Sequence, residues 1–259
     1  MTAPMNPTID FKLNPDLDVA HYARLYAETG LVQIPGILSE ETANAVHEML
    51  AHQMSWRLAF VAPDGGQVAD YGSVVCLDQA EMQALGRQGM QEILGGVMEM
   101  ARKNIGFLYS SYPMIQAYSE GWDPGHPIHQ LTEFMNSPAF LDFGRQVIGA
   151  PRLTKADCQA TLYSRGHFLT RHRDDGMNNE RRAAYTFGFT RDWQTDWGGL
   201  LMFLDEQQDV SRALMPRFNV LSLFDGHRIH SVSPVSPFAG AGRYQVTGWL
   251  RDDLPAFFS

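Results

Sequence analysis

Residues 166–176 read GHFLTRHRDDG and have the composition of a β-strand that ends in a polar turn. The apolar residues Phe168 and Leu169 lie within the strand, and the turn closes on a glycine. His172 and Asp174 stand at the strand end, two residues apart, and side chains at that spacing face the same side of a sheet. We therefore expect a strand here that directs an imidazole and a carboxylate into the interior.

Several more strand-like runs surround this stretch, all of them after Pro151. Clusters of glycine, proline, asparagine and aspartate separate the runs, which is typical of short antiparallel strands. The runs are RLTKADCQATLYSRG (152–166), AAYTFGFTRDW (183–193), GGLLMFL (198–204), NVLSLFDG (219–226), RIHSVSPV (228–235) and GRYQVTGWLRDD (242–253). Closely spaced strands of this kind indicate a β-sandwich or jelly roll. The sequence predicts a jelly-roll core over residues 151–255.

The first 150 residues are predicted to be rich in helices, with a few strands. Helical patterns with capping or stop signals cover residues 14–30, 39–52, 78–104 and 137–149. Asn14 and Ser39 are the expected N-caps of the first two helices. Strands are expected at 31–38, and at 56–61 and 67–72 around the turn PDGG, residues 63–66.

No Ser-rich or Pro-rich linker separates these helices from the later strands. We therefore predict a single domain spanning residues 1–259. Its class is α+β, with the N-terminal helices packed on the outer face of the β core.

The composition narrows the range of functions. The chain has 259 residues, of which 44% are hydrophobic, a formal net charge of −9 and a pI near 5.4. It has no run of lysine and arginine suited to phosphate backbones, so nucleic acid is not expected as a partner. The N-terminus lacks an apolar signal sequence and no apolar run approaches the roughly 20 residues of a membrane span, so we expect a cytoplasmic protein with no membrane partner. Cys76 and Cys158 cannot form a disulfide framework, and both are expected to be buried.

The segment RIHSVSPV contains a third candidate ligand that could complete a metal site with His172 and Asp174. Two imidazoles and one carboxylate on one side of a cavity form the facial triad that suits non-haem Fe(II) and leaves coordination positions open for reactants. His230 is one candidate for the second imidazole, and His227, three residues earlier, is another. A histidine and an aspartate at this spacing also occur at ordinary polar strand ends, so the pair is weak support by itself.

Arg243 adds a second kind of group to the predicted site. It follows His230 after one connection rich in proline and glycine, and neighbouring antiparallel strands would point both side chains into the same cavity. A buried arginine needs an anion, and its planar fork matches a carboxylate. A metal beside such an arginine suits a 2-oxo dicarboxylate, whose oxo and adjacent carboxylate groups chelate the metal while the far carboxylate meets the arginine. These residues predict a 2-oxoglutarate site.

The order of these segments resembles the Fe(II)/2-oxoglutarate-dependent oxygenase superfamily and is most similar to its prolyl 4-hydroxylase-type branch. The resemblance covers roughly residues 155–252. It is carried by YSRGHFLTRHRD (163–174), Trp193, WGGL (197–200), FDGHRIHSVSPV (224–235) and RYQVTGWL (243–250). The order of all these elements together is specific, although each element alone is not.

The resemblance implies a double-stranded β-helix fold, the cofactors Fe(II), 2-oxoglutarate and O2, and a role for each site residue. His172, Asp174 and His230 would bind the iron. Arg243 would hold the far carboxylate of 2-oxoglutarate, and Tyr163 would hydrogen-bond it. The implied reaction is hydroxylation of a C–H bond, coupled to conversion of 2-oxoglutarate to succinate and carbon dioxide. Members that transfer halide lack the carboxylate that is present here as Asp174.

Two details of the family pattern bear on this chain. His230 is preferred over His227 because only His230 precedes the run Val-x-Pro-Val at the position that the family uses. Thr190 and Arg191 stand where the pattern often has an asparagine. We expect both near the cavity mouth, where substrate identity is determined.

The sequence leaves the substrate and the oligomeric state open. Three functions remain: hydroxylation of a prolyl or other residue in a protein, oxidation of a free amino acid or small metabolite with the same cofactors, and a jelly-roll binding protein without turnover. Four arginines, at 171, 173, 181 and 182, either orient an acidic substrate group or lie in a solvated loop. His126 and His129 are predicted to belong to a loop or a helix start, and three tryptophans, at 193, 197 and 249, to pack in the core or at the rim.

Overall fold

The computed structural model describes residues 9–62 and 74–253. The helices are α1 (Val19–Thr29), α2 (Glu40–His52), α3 (Gln79–Arg102), α4 (Met114–Glu120), α5 (Ile128–Met135) and α6 (Pro138–Ile148). The strands are β1 (Leu31–Pro35), β2 (Arg57–Val61), β3 (Val74–Leu77), β4 (Phe107–Tyr112), β5 (Lys155–Ala156), β6 (Gln159–Tyr163), β7 (Phe168–His172), β8 (Arg181–Phe189), β9 (Leu201–Leu204), β10 (Val210–Leu214), β11 (Phe218–Phe224), β12 (His230–Val232) and β13 (Arg243–Arg251).

The described strands form one antiparallel sheet that curls around an interior cavity. Its main path runs β1-β11-β8-β13-β6-β4-β7-β12-β9-β10, while β2 pairs with β3 and β4, and β5 pairs with β13. The sheet has a larger wall, β1-β11-β8-β13-β6, and a smaller wall, β7-β12-β9-β10, joined through β4. This arrangement confirms the predicted α+β class with a jelly-roll core.

The two faces of the larger wall have different neighbours because side chains alternate along each strand. On β8, Tyr185, Phe187 and Phe189 belong to a buried cluster that also contains apolar residues of α2, α5 and α6. Ala184 and Thr186, at the alternate positions, line the cavity. The N-terminal helices therefore cover the outer face of the core, as predicted, and leave the inner face to the site.

The N-terminal half also supplies strands to the sheet. β1 pairs with β11, and β4 lies between β6 and β7. Strands β4 and β10 were not predicted. The residues of β10 are almost all exposed, so this edge strand lacks the apolar alternation that marks a strand in sequence. A single domain over residues 1–259 remains a prediction.

Two local predictions need correction, and a third lies outside the described residues. Helix α1 begins at Val19, because the carboxylate of Asp18 accepts the N-terminal hydrogen bond, whereas Asn14 caps only a turn through the backbone N–H of Asp16. Strand β2 pairs with β3 and β4, and the expected strand 67–72 with its turn 63–66 lies outside the described residues. Cys158 is buried as expected, but Cys76 is exposed on the edge strand β3.

Candidate metal centre and cofactor cavity

His172 and His230 lie directly opposite each other on β7 and β12, with ring centroids 4.1 Å apart. Asp174 follows β7 by two residues. One potential ligand atom from each of the three side chains lies within 4.8 Å of the other two. In residues 9–62 and 74–253, no other group of three or more histidine, cysteine, aspartate or glutamate side chains meets this spacing.

The backbone orients both imidazoles. Nδ1 of His172 lies 3.0 Å from the carbonyl oxygen of Thr170, and Nδ1 of His230 lies 2.9 Å from that of Arg228. A carbonyl only accepts, so each Nδ1 carries the proton and each Nε2 keeps its lone pair. The Nε2 atoms face Asp174, at 3.6 Å from one carboxylate oxygen for His172 and 3.2 Å from the other for His230. This is the arrangement in which histidines bind a metal.

The backbone of Asp174 is held by the turn before β12. Its N–H donates to the carbonyl of Gly226 at 2.8 Å. A Cβ atom at position 226 would lie 3.0 Å from Cβ of Asp174 and 3.2 Å from its carbonyl oxygen. Glycine at 226 therefore allows the turn to approach the carboxylate closely, although this requirement is not evident from the sequence motif.

The protonation states of His172 and Asp174 suit metal binding. Burial, together with the neighbouring His230, lowers the pKa of His172 to about 4, so its imidazole is neutral at neutral pH. Burial by itself raises the pKa of Asp174, but the two adjacent imidazoles lower it by more, and the net direction is downward. His172 thus presents a neutral nitrogen donor beside the carboxylate of Asp174, and together with Nε2 of His230 these atoms form a donor set suited to Fe(II).

Arg243 faces the same cavity from the opposite wall. The prediction that β12 and β13 are neighbouring strands is wrong, because β12 pairs with β7 and β9 whereas β13 pairs with β6 and β8. His230 and Arg243 nevertheless line one cavity of about 820 Å³. The two walls of the curled sheet, rather than adjacent strands, bring these groups together.

The guanidinium of Arg243 is deeply buried, with 1% of the residue exposed. Burial lowers its pKa to about 10, which still leaves it charged at neutral pH. Its Nε has no hydrogen-bond partner, and it forms no ion pair among the described residues. Tyr163 lies opposite it on β6, and the guanidinium carbon is 4.8 Å from the centre of the tyrosine ring. A buried cation without a partner is costly, so the cavity beside Arg243 is suited to binding an anion.

Other predicted residues lie away from this centre. The imidazole of His227 is 55% exposed and bonds to Asp225, so it lies in a turn. His126 and His129 bond to backbone carbonyls around the start of α5, as the loop or helix-start interpretation predicted. Arg171 bonds to Gln208 on the exposed surface.

Thr190 and Arg191 are not at the cavity mouth, which corrects the prediction. Thr190 is buried and its hydroxyl donates to the carbonyl of Tyr244. The guanidinium of Arg191 lies over the ring of Phe218 on the outer side of the sheet. These two positions therefore do not contact a substrate in the cavity.

The cavity contains residues that the motif left unassigned. Arg181 stacks on Trp249, with its guanidinium carbon 3.6 Å from the ring centre, and both line the cavity with Arg173. Gln245 also lines it, two residues after Arg243. The alternation of side chains along a strand could have identified Gln245, because residues 243, 245, 247 and 249 must share one face.

Part of the chain matches a family model described as the 2OG-Fe(II) oxygenase superfamily. The model of that superfamily matches residues 158–251, which is nearly the segment that carried the resemblance in sequence. Members use Fe(II), 2-oxoglutarate and O2 as cofactor and co-substrates, and the triad with its facing arginine fits them. None of the curated proteins matches the chain in sequence.

Solved structures share the fold at low sequence identity. A prolyl hydroxylase from Trichoplax adhaerens has 17% identity and a TM-score of 0.57, with 91% of this chain and 89% of that chain covered. An oxidoreductase of the 2OG-Fe(II) oxygenase family from Burkholderia pseudomallei has 12% identity and a TM-score of 0.54, with 97% and 98% covered. A prolyl 4-hydroxylase from Phytophthora capsici has 15% identity and a TM-score of 0.52, with 96% and 70% covered. Across the described residues, no helix has the length and apolar character needed to cross a membrane.

Proposed function

We propose that this protein is a hydroxylase in which His172, Asp174 and His230 hold Fe(II) and Arg243 binds the far carboxylate of 2-oxoglutarate. The convergence of these groups is the observation that carries the proposal. Three ligand atoms within 4.8 Å of one another face a cavity that a buried, unpaired guanidinium also lines.

The residues of the chain have separate tasks in the reaction. Bound Fe(II) would supply the activation of dioxygen that oxidises a substrate C–H bond while 2-oxoglutarate becomes succinate and carbon dioxide. Backbone carbonyls fix the two imidazoles, and Arg243 orients the co-substrate through its far carboxylate. Leu169, Leu201, Phe224 and Val232 line the cavity near the triad and exclude water from the reacting groups.

A residue in a protein or peptide, with proline first, is the substrate that we propose. A cavity of about 820 Å³ has room for the co-substrate and for a side chain of an extended segment. At this cavity Arg173 and Arg181 form no ion pair among the described residues, and Arg181 can donate hydrogen bonds to a substrate carbonyl or carboxylate. The Trichoplax adhaerens hydroxylase was solved with a peptide of hypoxia inducible factor, which makes a peptide the first candidate here. A free amino acid or small metabolite is the second candidate, because the same arginines can bind its carboxylate.

The iron site is tested by anaerobic addition of Fe(II) and 2-oxoglutarate to the purified chain. We expect a weak visible charge-transfer band, its loss in His172→Ala, and its retention in the control His227→Ala. In air the wild type should form succinate. Absence of the band from the wild type, or its persistence in His172→Ala, would contradict the proposed ligands.

The substrate class is tested by a mass-spectrometric search for the gain of one oxygen atom. Lysate peptides and metabolites are incubated with the wild type or with His172→Ala. Gain of oxygen on peptides in the wild-type sample alone supports the first candidate. Gain on a small metabolite alone supports the second.

A further inference from the structure

Arg181, the first residue of β8, is a cation at the large cavity without a partner of its own. Its guanidinium forms no ion pair or hydrogen bond among the described residues, and its Nε atom is buried. A guanidinium has five N–H donors and no acceptor, so only an acceptor satisfies it, and an anion does so best. A half-buried arginine in this state at a ligand cavity indicates a partner outside the chain.

The other cations at this end of the sheet have carboxylate partners. Nε of Arg182 lies 2.6 Å from the carboxylate of Asp252. Arg251, which lies across the sheet from Arg181, pairs with three carboxylates, those of Asp157, Glu180 and Asp253. The acids around Arg181 are therefore already engaged by its neighbours.

The indole of Trp249 holds the guanidinium of Arg181 in place. The guanidinium carbon lies 3.6 Å from the centre of the ring, and both side chains line the large cavity. Stacking covers one face of the planar guanidinium and leaves the N–H groups at its edge available. Arg181 also lies near the metal centre, because its charge adds to burial and to the neighbouring His230 in lowering the pKa of His172.

Arg173 brings a second cation to the same cavity. It lies between the proposed ligands His172 and Asp174, lines the cavity and forms no ion pair among the described residues. The carboxylate of Asp174 faces the two imidazoles rather than the arginines. Two unpaired cations at one cavity favour a charged ligand group, because a neutral carbonyl accepts a hydrogen bond but leaves both charges uncompensated.

We propose that Arg181, together with Arg173, binds a carboxylate of the substrate and thereby determines which substrates the enzyme accepts. The edge of the guanidinium matches a carboxylate with two parallel hydrogen bonds, which fixes the substrate beside the metal centre. This inference rests on the proposed function. It adds that the substrate is an acid, either a free carboxylic acid or a peptide with an acidic residue next to the oxidised position.

The test compares carboxylate probes with their neutral amides. N-acetylproline and N-acetylprolinamide represent a free acid and its amide. The acetylated, amidated tripeptides Asp-Pro-Asp and Asn-Pro-Asn represent an acidic peptide and its neutral analogue. Dissociation constants are measured anaerobically on the full chain, loaded with Mn(II) and saturated with 2-oxoglutarate, from the paramagnetic broadening of probe protons in NMR spectra. Saturation with 2-oxoglutarate occupies the Arg243 end, so the broadening reports binding in the rest of the cavity.

We expect the wild type to bind a carboxylate probe about tenfold or more tightly than its amide, the range for hydrogen bonds to a charged group. Arg181→Gln should reduce this preference to less than about twofold, and Arg181→Lys, which keeps the charge without the fork, should retain part of it. Arg182→Gln is the matched control, because Arg182 pairs with Asp252 and does not line the cavity, and it should keep the wild-type preference. A preference within the proline pair identifies a free acid, and one within the tripeptide pair identifies an acidic peptide.

The outcomes separate this inference from the proposed function. Equal affinities of the wild type for acid and amide in both pairs, including absence of binding by every probe, would overturn the role in carboxylate recognition. A wild-type preference that persists in Arg181→Gln would also overturn it, because another group would then select the acid. Circular dichroism and the affinity for 2-oxoglutarate show whether each variant folds. Failure of the wild type to bind Mn(II) or 2-oxoglutarate would instead contradict the proposed function.

Discussion

The two ends of the cavity are built in different ways. At the metal end, a backbone carbonyl holds each imidazole, and a backbone carbonyl also accepts the N–H of Asp174. At the opposite end, Nε of Arg243 and Oε1 of Gln245 have no partner although both residues are almost fully buried. At the metal end the chain itself supplies the hydrogen-bond partners of the site residues. At the arginine end the described residues leave these two atoms without partners.

The two ends of the cavity are therefore prepared for their ligands in different ways. The metal end fixes its donor atoms before any ligand arrives, so a metal ion meets ligands that need little rearrangement. The arginine end keeps a cation and an amide out of water without pairing them, which destabilises the fold until an anion binds. Binding of 2-oxoglutarate should therefore raise the free energy of unfolding by more than the small size of this ligand suggests.

Asp174→Asn should have the largest effect, at the metal end. It removes the one carboxylate among the three proposed ligands, and we expect Mn(II) affinity to fall by at least about a hundredfold. Calorimetric titration with Mn(II) measures the loss. Asp175→Asn changes an exposed neighbour and should keep the wild-type affinity. Equal losses in both variants would mean that general charge, not coordination, attracts the metal.

Arg243→Met should have the next largest effect and should act on the other end alone. Loss of a two-pronged contact to a carboxylate is expected to weaken 2-oxoglutarate binding by about a hundredfold or more. Mn(II) affinity in the same variant should remain near that of the wild type, because the triad lies on the opposite wall. A parallel loss of Mn(II) affinity would show that the two ends are not independent.

The same substitution should make the ligand-free protein more stable. Methionine fills similar space and removes an unpaired buried charge, so we expect the free energy of unfolding to rise by about 1–3 kcal/mol. Urea denaturation without metal or 2-oxoglutarate measures this change, and added 2-oxoglutarate should narrow the difference by stabilising the wild type. A less stable Arg243→Met variant would mean that the guanidinium supports the fold itself.

The sequence predicted the three residues of the metal end and Arg243 at the other end, but neither Gln245 nor the way the two ends meet. His172 and Asp174 were readable from strand alternation, and the resemblance indicated His230 and Arg243. The opposition of the two walls was not readable, since pairing of β12 with β7 depends on the curl of the whole sheet. Gly226 was also missed, because its role depends on a turn that approaches Asp174 from a distant part of the chain.

Gly226→Ala tests that close approach and should have a smaller effect. The added methyl group has to displace the Asp174 backbone by a few tenths of an ångström, and we expect Mn(II) affinity to fall about tenfold with the fold intact. The control is Gly95→Ala in helix α3, where a Cβ meets nothing within 4 Å. Gly95→Ala should keep the metal affinity of the wild type, and its free energy of unfolding should rise by about 0.5–1 kcal/mol. Unchanged metal affinity in Gly226→Ala would show that Asp174 tolerates the shift.

Tyr163→Phe should have the smallest effect of the series. The ring contact with Arg243 remains, and only the hydroxyl that the resemblance assigns to 2-oxoglutarate is removed. We expect the dissociation constant for 2-oxoglutarate to rise by about three- to tenfold, the range for one neutral hydrogen bond, with no change for Mn(II). Tyr112→Phe is the matched control, because its hydroxyl bonds to Asp123 on the helical side of the sheet. A wild-type affinity for 2-oxoglutarate in Tyr163→Phe would leave Arg243 as the donor to the far carboxylate, and Tyr163 as a ring surface that packs against it.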